Sequence, residues 1–225
     1  MIKAVLVDID NTLLHFDKCA DKSMRLAFEE FNITPPTDLL SVFTPINDEL
    51  WRQIEKGTLT KEGLHKIRFV KVLKAMNIDF DGLVFEQRFR HHLKYSAEKV
   101  DGADRLMQYL KKKYFVALAS NGHAEQQKLR LNISGLDRYA DALFLSGDIG
   151  YEKPSAKFFE KALSSCPTNN KNEVMIIGDS LSADIKGGID FGIKTCWFNL
   201  KNQKANDQII PDYTVNNLVE IENIL

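Results

Sequence analysis

Two aspartates one residue apart, Asp8 and Asp10, close the apolar run that opens the chain, and Asn11 and Thr12 follow at once. Carboxylates this close resist joint ionisation unless a cation stands between them. A hard divalent ion such as Mg²⁺ takes oxygen ligands and keeps several waters, so two carboxylates and a backbone carbonyl suit it. Turn chemistry is the competing account, because Asp and Asn favour turns. A calcium loop of the EF-hand type is excluded. Counted from Asp8, its glycine position holds Leu13 and its final glutamate position holds Cys19.

Further polar groups follow other apolar runs. Ser120, Asn121 and Gly122 come between a strand-like run and a helical one, where a hydroxyl and free N–H groups form either an anion site or an ordinary turn. Lys153 precedes Pro154, which biases its backbone toward an extended shape. A phosphate beside several carboxylates needs positive charge besides a metal, and Lys153 can supply it. Gly178, Asp179 and Ser180 end another run, with Asp184 one turn further on. Asp179 could serve as a helix cap. Asp184 is not explained that way, since Ser180 would pair with Ala183 and Ser182 with Ile185. It is expected to support the ion or Lys153 from outside the ligand set.

The elements that must position these residues are legible. Apolar runs at Lys3–Ile9, Phe115–Ser120, Ala142–Ser146, Val174–Gly178 and Thr195–Phe198 lack alternation, as strands covered on both faces do, and Tyr213–Val215 adds a short edge strand. Helical patterns at Ala103–Lys112, Ala124–Leu131, Ala156–Leu163 and Leu181–Phe191 lie between them. Strand then helix, repeated, predicts an α/β fold with a doubly wound parallel sheet. In such sheets ligands bind outside the carboxyl ends of the strands, where the residues above collect. Gly187 and Gly188, inside a helix, read as packing positions.

One connection breaks the rhythm. Helical segments near Asp21–Phe31, Leu39–Lys56, Lys61–Met76 and Phe80–Tyr95 fill the gap between Leu14 and Asp101, and Leu64, Ile67, Val70 and Leu73 suggest one apolar stripe. The insert predicts a separate helical cap domain over residues 15–97, with 1–14 and 98–225 forming a Rossmann-like core. Hinges are expected near His15–Lys18 and Ala97–Gly102. Phe16, Phe43, Trp51, Phe85, Phe89 and Tyr95 offer aromatic surface for stacking on a base, or belong to the core of the insert. His91, His92 and His123 read as surface or hinge histidines. Residues 201–211 read as a polar surface loop before a last short helix.

Composition narrows the function classes. Of 225 residues 44% are hydrophobic, as expected of a globular chain, and 30 Lys and Arg against 31 Asp and Glu give a net charge of −1. A nucleic-acid polymer is therefore a poor partner. The basic clusters Arg88–Lys94 and Lys111–Lys113 read as solvated helix faces. No apolar stretch approaches the roughly 20 residues that cross a bilayer, and the scattered Cys19, Cys166 and Cys196 fit reduced thiols, so a soluble cytoplasmic protein is expected. No G-x-x-x-x-G-K-[ST] or G-x-G-x-x-G run is present.

In order and spacing, Asp8-Ile9-Asp10-Asn11-Thr12, Ser120-Asn121-Gly122, Lys153-Pro154 and Gly178-Asp179-Ser180 through Asp184 resemble the four motifs of the haloacid dehalogenase superfamily. The resemblance spans the chain outside the insert, which falls where that superfamily places a helical cap. It implies Asp8 as nucleophile, Asp10 as general acid and base, and Ser120, Asn121 and Lys153 around the phosphoryl group. It also implies Mg²⁺ held by Asp8, Asp179 and the backbone carbonyl of Asp10, with Asp184 behind them. An Asp two residues after the nucleophile looks like the phosphatase and mutase pattern.

The stretches "LFLSGDIGYEKPSAKFFEKAL" and "DIKGGIDFGIKTCWFN" look most like the pyrimidine 5′-nucleotidase branch, including nucleotidases of noncanonical substrates. The expected activity is thus Mg²⁺-dependent hydrolysis of a small phosphate monoester, a nucleoside 5′-monophosphate, through an aspartyl-phosphate. Phosphoglycolate or sugar phosphates, and a sugar phosphomutase, are the enzymatic alternatives, and a phospho-accepting signalling receiver is the non-enzymatic one. Monomer and dimer both remain open.

Overall fold

A computed structural model describes residues 1–204 and 208–225. In chain order the elements are β1 (Ala4–Val7), α1 (Phe16–Glu30), α2 (Leu40–Glu55), α3 (Lys61–Ala75), α4 (Gly82–Lys94), α5 (Ala103–Lys113), β2 (Phe115–Ser120) and α6 (Ala124–Ser134). There follow β3 (Ala142–Leu145), α7 (Ser146–Ile149), α8 (Ala156–Ser164) and β4 (Val174–Gly178). A π-helical turn (Leu181–Lys186) leads into α9 (Gly187–Phe191), β5 (Lys194–Phe198), β6 (Tyr213–Val215) and a 3₁₀ segment (Leu218–Asn223). They divide into two compact units, Met1–His15 with Lys99–Leu225, and Phe16–Glu98.

The first unit is built on a sheet of six parallel strands in the order β3-β2-β1-β4-β5-β6, flanked by helices. All four residues of β1 are buried, which is why its sequence is apolar without alternation. Chain progress runs outward from β1 through β2 to β3, then returns to the other side of β1 with β4. That reversal makes the carboxyl ends of β1 and β4 a topological switch point.

The sheet is narrower at β1 than the apolar run suggests, because Ile9 is not part of the strand. Asp8 N–H still donates to Ile177 O at 2.9 Å, but Leu13 and Leu14 N–H both turn back to Ile9 O at 2.9 and 2.8 Å. Asn11 adopts the left-handed conformation (φ 58°) that this reversal requires and that Asn tolerates. The helix expected over Leu181–Phe191 is likewise divided, its first half wound as a π turn.

Gly187 and Gly188 let α9 lie close to its neighbours. A Cβ at Gly188 would fall 2.7 Å from Ile176 Cγ2 and 2.8 Å from Thr195 Cγ2, and one at Gly187 would fall 2.7 Å from Phe159 Cε2. The last short helix is the 3₁₀ segment, whose Leu218 and Ile221 are buried. Residues 205–207 of the expected polar loop lie outside the described residues; Lys201–Lys204 before them are exposed.

The second unit holds α1 to α4 around an aromatic core. Phe28, Phe43, Phe69, Phe85 and Phe89 are buried, with ring centroids of Phe28 and Phe85 4.5 Å apart and of Phe69 and Phe89 4.8 Å apart. Of the residues expected as possible stacking surface, Phe43, Phe85 and Phe89 are thus core; Tyr95 is exposed. The expected stripe on α3 is corrected too. Val70 is exposed, and Leu64, Arg68, Phe69, Val72 and Leu73 are the buried set. Steps of three lag the helical turn by about 60° each, so a strict three-residue repeat walks off the face.

Arg68 sits in this core because its charge is met. Glu86 accepts from its Nε and Nη2 at 3.0 and 2.6 Å, Asn47 Oδ1 accepts at 3.0 Å, and the Phe89 ring centroid lies 4.9 Å away. Burial alone would raise the Glu86 carboxyl, but Arg68 and His65 together outweigh it and hold that group below the usual range. Of the segment expected as a hinge, His15–Lys18, residues Phe16–Lys18 form the first turn of α1, and the two units meet in sequence between His15 and Phe16. Cys19, Cys166 and Cys196 are free thiols. No helix among the described residues is long and apolar enough to cross a membrane.

Candidate active site

Asp8 leaves the carboxyl end of β1 as the first residue beyond the strand. Its Oδ1 accepts from Lys153 Nζ at 2.7 Å and its Oδ2 from Thr12 Oγ1 at 3.0 Å. Thr12 is carried back to it by the left-handed turn at Asn11. Lys153 is also buried, and Ala119 O at 2.8 Å and Asp184 Oδ1 at 2.6 Å accept its other bonds. An ammonium has three hydrogens, so all three are used. Burial opposes its charge, but Asp184 and Asp8 outweigh this and raise the Lys153 pKa above the ordinary lysine value.

Lys153 is held in turn by β2. Asn121 Oδ1 accepts from Lys153 N–H, and Asn121 Nδ2 donates to Lys153 O, both at 2.8 Å. Asn121 therefore clips the Lys153 backbone to the end of β2 with a paired amide bond.

Asp179 and Asp184 arrive from β4. Ser180 caps the π turn through Ala183 N–H at 3.1 Å, the pairing expected from the sequence. Asp184 Oδ2 reaches back to Ser180 N–H at 3.1 Å. Both Asp184 oxygens are thereby engaged inside the protein. Gly178 makes room for this: a Cβ there would fall 2.2 Å from Asp184 Oδ2. Asp179 is anchored by Trp197 Nε1, which donates to its backbone carbonyl at 2.9 Å. A small recess opens beside Asp179, lined also by Asn11, Phe198, Asn199 and Lys201.

Carboxylate oxygens of Asp8, Asp179 and Asp184 lie within 4.8 Å of one another. Three carboxylates facing one ammonium leave two negative charges in excess. Burial lifts the Asp8 carboxyl to about 7, with repulsion from Asp184 and Asp10 adding and Lys153 opposing. Burial, with Asp8 and Asp184 adding, raises Asp179 well above the usual carboxylate range. An all-oxygen donor set with this excess suits a small, hard divalent cation.

The Asp10 carboxyl is not part of that acidic cluster. It is turned to α6, where Arg130 Nη1 donates to Oδ1 at 2.5 Å and Gln127 Nε2 to Oδ2 at 2.7 Å. Gln127 Nε2 also donates to Ser120 Oγ at 2.8 Å, and Gly122 N–H to the same oxygen at 2.9 Å. Ser120 and Asn121 thus reach the same strand ends as Asp8. Motif and spacing assign no role to Gln127, Arg130 or Thr12. The signal for the first two was a polar pair three apart in the helix that follows Ser120-Asn121-Gly122.

The sheet order, the switch-point carboxylates and the lysine define a haloacid-dehalogenase-type hydrolase, and the model of the haloacid dehalogenase-like hydrolase family matches residues 2–192, so the chain belongs to that family. YfnB of Bacillus subtilis, described as a HAD-hydrolase, is 34% identical over 99% of this chain and 95% of its own length. A magnesium-bound crystal form of YfnB superposes with a TM-score of 0.93, covering 100% of this chain and 98% of that one. The pyrimidine 5′-nucleotidase PynA of Streptococcus pneumoniae is 32% identical over 95% of this chain and 90% of its own, and the pyrimidine 5′-nucleotidase YjjG of Escherichia coli is 28% identical over 98% and 96%. With such relatives, the chain is a phosphoric monoester hydrolase of this family.

Proposed function

We propose that the protein is a Mg²⁺-dependent phosphatase that forms an aspartyl-phosphate on Asp8 and acts on nucleoside 5′-monophosphates. The observation that carries the reading is the meeting of Asp8, Asp179, Asp184 and Lys153 at one set of strand ends. Asp8 and Asp179, with the backbone carbonyl of Asp10, would hold the ion. When bound, it offsets the charge of the acids and of the phosphoryl oxygens. Asp184 has both oxygens committed to Lys153 and Ser180, which suits a supporting role.

The chain's own residues then account for the proton and bond changes. An Asp8 oxygen attacks phosphorus in line, the bond from phosphorus to the ester oxygen breaks, and Asp10 gives that oxygen its proton. Asp10, now a carboxylate, takes a proton from water as the water oxygen attacks phosphorus. The bond to Asp8 breaks, phosphate leaves, and Asp10 is again protonated for the next cycle. Ser120 donates its hydroxyl to the phosphoryl group, since the Gln127 and Gly122 donors already occupy its oxygen. Lys153 keeps the Asp8 carboxylate oriented and contributes positive charge beside it.

PynA and YjjG support the nucleotide as substrate, and the insert over residues 16–98 is proposed as the cap that selects the leaving group. Free thiols fit action in the cytoplasm. A smaller substrate is favoured by one comparison: glyceraldehyde 3-phosphate phosphatase of Methanopyrus kandleri is 26% identical over the whole chain. The deciding experiment is phosphate release with Mg²⁺ across nucleoside monophosphates, sugar phosphates, glyceraldehyde 3-phosphate and phosphoglycolate. Preference for pyrimidine nucleotides is expected. Preference for a three-carbon ester would overturn the substrate, and no release from any ester would overturn the phosphatase.

A further inference from the structure

Arg130 is the largest fully buried side chain among the described residues, and the chemistry outlined above does not use it. An arginine is not buried cheaply; taking its charge from water costs several kcal/mol unless it is paired. Its partner is the carboxyl assigned to proton transfer. Arg130 Nη1 lies 2.5 Å from Asp10 Oδ1 and 2.9 Å from Gln127 Oε1. Gln127, one turn earlier on α6 and equally buried, divides its two amide hydrogens between Asp10 Oδ2 at 2.7 Å and Ser120 Oγ at 2.8 Å. One clamp therefore grips both oxygens of Asp10 and reaches the Ser120 hydroxyl from the same amide.

An arginine serving only the fold would be met by any carboxylate in reach. Here the bonds run to the two groups that must face the ester from opposite functions, proton transfer and phosphoryl binding. The second contact matters as much as the first. Because Gly122 N–H and Gln127 Nε2 both donate to Ser120 Oγ, the hydroxyl hydrogen is the part of Ser120 left to point outward.

We propose that Arg130 and Gln127 are positioning residues, which fix the Asp10 carboxyl for proton transfer and orient the Ser120 hydroxyl toward the phosphoryl group. The proposal rests on the phosphatase reading. It predicts losses that depend on the leaving group, because p-nitrophenolate departs without a proton and a nucleoside oxygen does not.

The test uses the full chain with Mg²⁺ and two esters, uridine 5′-monophosphate and p-nitrophenyl phosphate. Arg130→Ala is expected to lose about a hundredfold in kcat on the nucleotide. On p-nitrophenyl phosphate it should show a first-turnover burst matching the enzyme, followed by slow release, because the water step still needs Asp10. Guanidinium in the buffer should restore part of the nucleotide activity. Gln127→Met, similar in size, should lower kcat in the same pattern and also raise KM through Ser120. If Arg130→Ala does not fold, Gln127→Met decides alone.

Equal losses on both esters without a burst, or activity falling only as far as the folded fraction falls, would overturn the clamp. Failure of the phosphatase reading looks different: the unaltered protein would release phosphate from neither ester, or Asp8→Asn would match it.

Discussion

The Lys153 ammonium lies 2.7 Å from Asp8 Oδ1 with almost no exposure to solvent, so the proposed nucleophile and its cation form one buried pair. Removing one member of such a pair leaves the other charge uncompensated, at a cost of about 3–5 kcal/mol. Lys153→Met should therefore lower the melting temperature and abolish turnover together, and thermal unfolding with a phosphate-release assay checks both. A stable variant with ordinary turnover would remove Lys153 from the site.

Asp8→Asn keeps an acceptor for Lys153 while removing charge. Turnover should vanish with the fold intact. The pH dependence of stability should change as well. Burial raises the folded Asp8 carboxyl from an ordinary 3.8 to about 7, so the folded state binds more protons than the unfolded one between those values. For this group, metal-free stability falls as pH rises from 4 through 7, and the substitution should flatten that slope. Urea unfolding in chelator at pH 6 and pH 8 measures it; an unchanged slope refutes the assignment.

Mg²⁺ must compete with protons on Asp8 and Asp179, both raised by burial. Its effect on the melting temperature should be larger at pH 8 than at pH 6. At a hundred times its dissociation constant, a ligand adds about 2.7 kcal/mol. Asp179→Asn should erase most of the gain. Equal stabilisation at both pH values would mean the ion binds elsewhere.

Two glycine substitutions separate packing from chemistry. Gly188→Ala drives a Cβ against Ile176 and Thr195 and should cost about 1–3 kcal/mol, with kcat per folded molecule unchanged. Gly178→Ala drives one into the Asp184 carboxylate and should lower kcat as well, by displacing the partner of Lys153. The same kinetic result from both would mean that Asp184 does not act through Lys153.

In the helical insert, Arg68→Met leaves the buried Glu86 carboxylate with His65 at 2.9 Å but without its arginine and should destabilise by about 3–5 kcal/mol, whereas the double variant with Glu86→Leu should regain most of that loss. Calorimetry of the single and double variants is the check. Additive losses would show that Arg68 and Glu86 do not stabilise one another.

The strand ends were legible because an apolar run broken by Asp or Ser marks both the strand and the residue it delivers. Asp8, Ser120 and Asp179 could be placed that way, as could the parallel α/β class. Arg130, Gln127 and Arg68 could not. A charged residue on a helix is normally solvated, and only the partner, supplied by a distant segment, makes burial tolerable. The stripe on α3 misled for the same reason: Arg68 occupies a core position that its polarity disguises, while Val70 fits the pattern and faces solvent. The π turn was hidden as well, since nothing in Leu181–Lys186 departs from helical composition.

The order β3-β2-β1-β4-β5-β6 also bears on synthesis at the ribosome. The central strand emerges first, yet one of its edges stays unpaired until Val174–Gly178 is made, and Asp179 and Asp184 come later still. A nascent chain can pair β1 with β2, but it holds neither the complete charge cluster nor the pairing of β1 with β4. Catalytic competence is therefore acquired in a single late event, and a translation stall before β4 would leave an inert fragment with an exposed, adhesive edge for chaperones to shield.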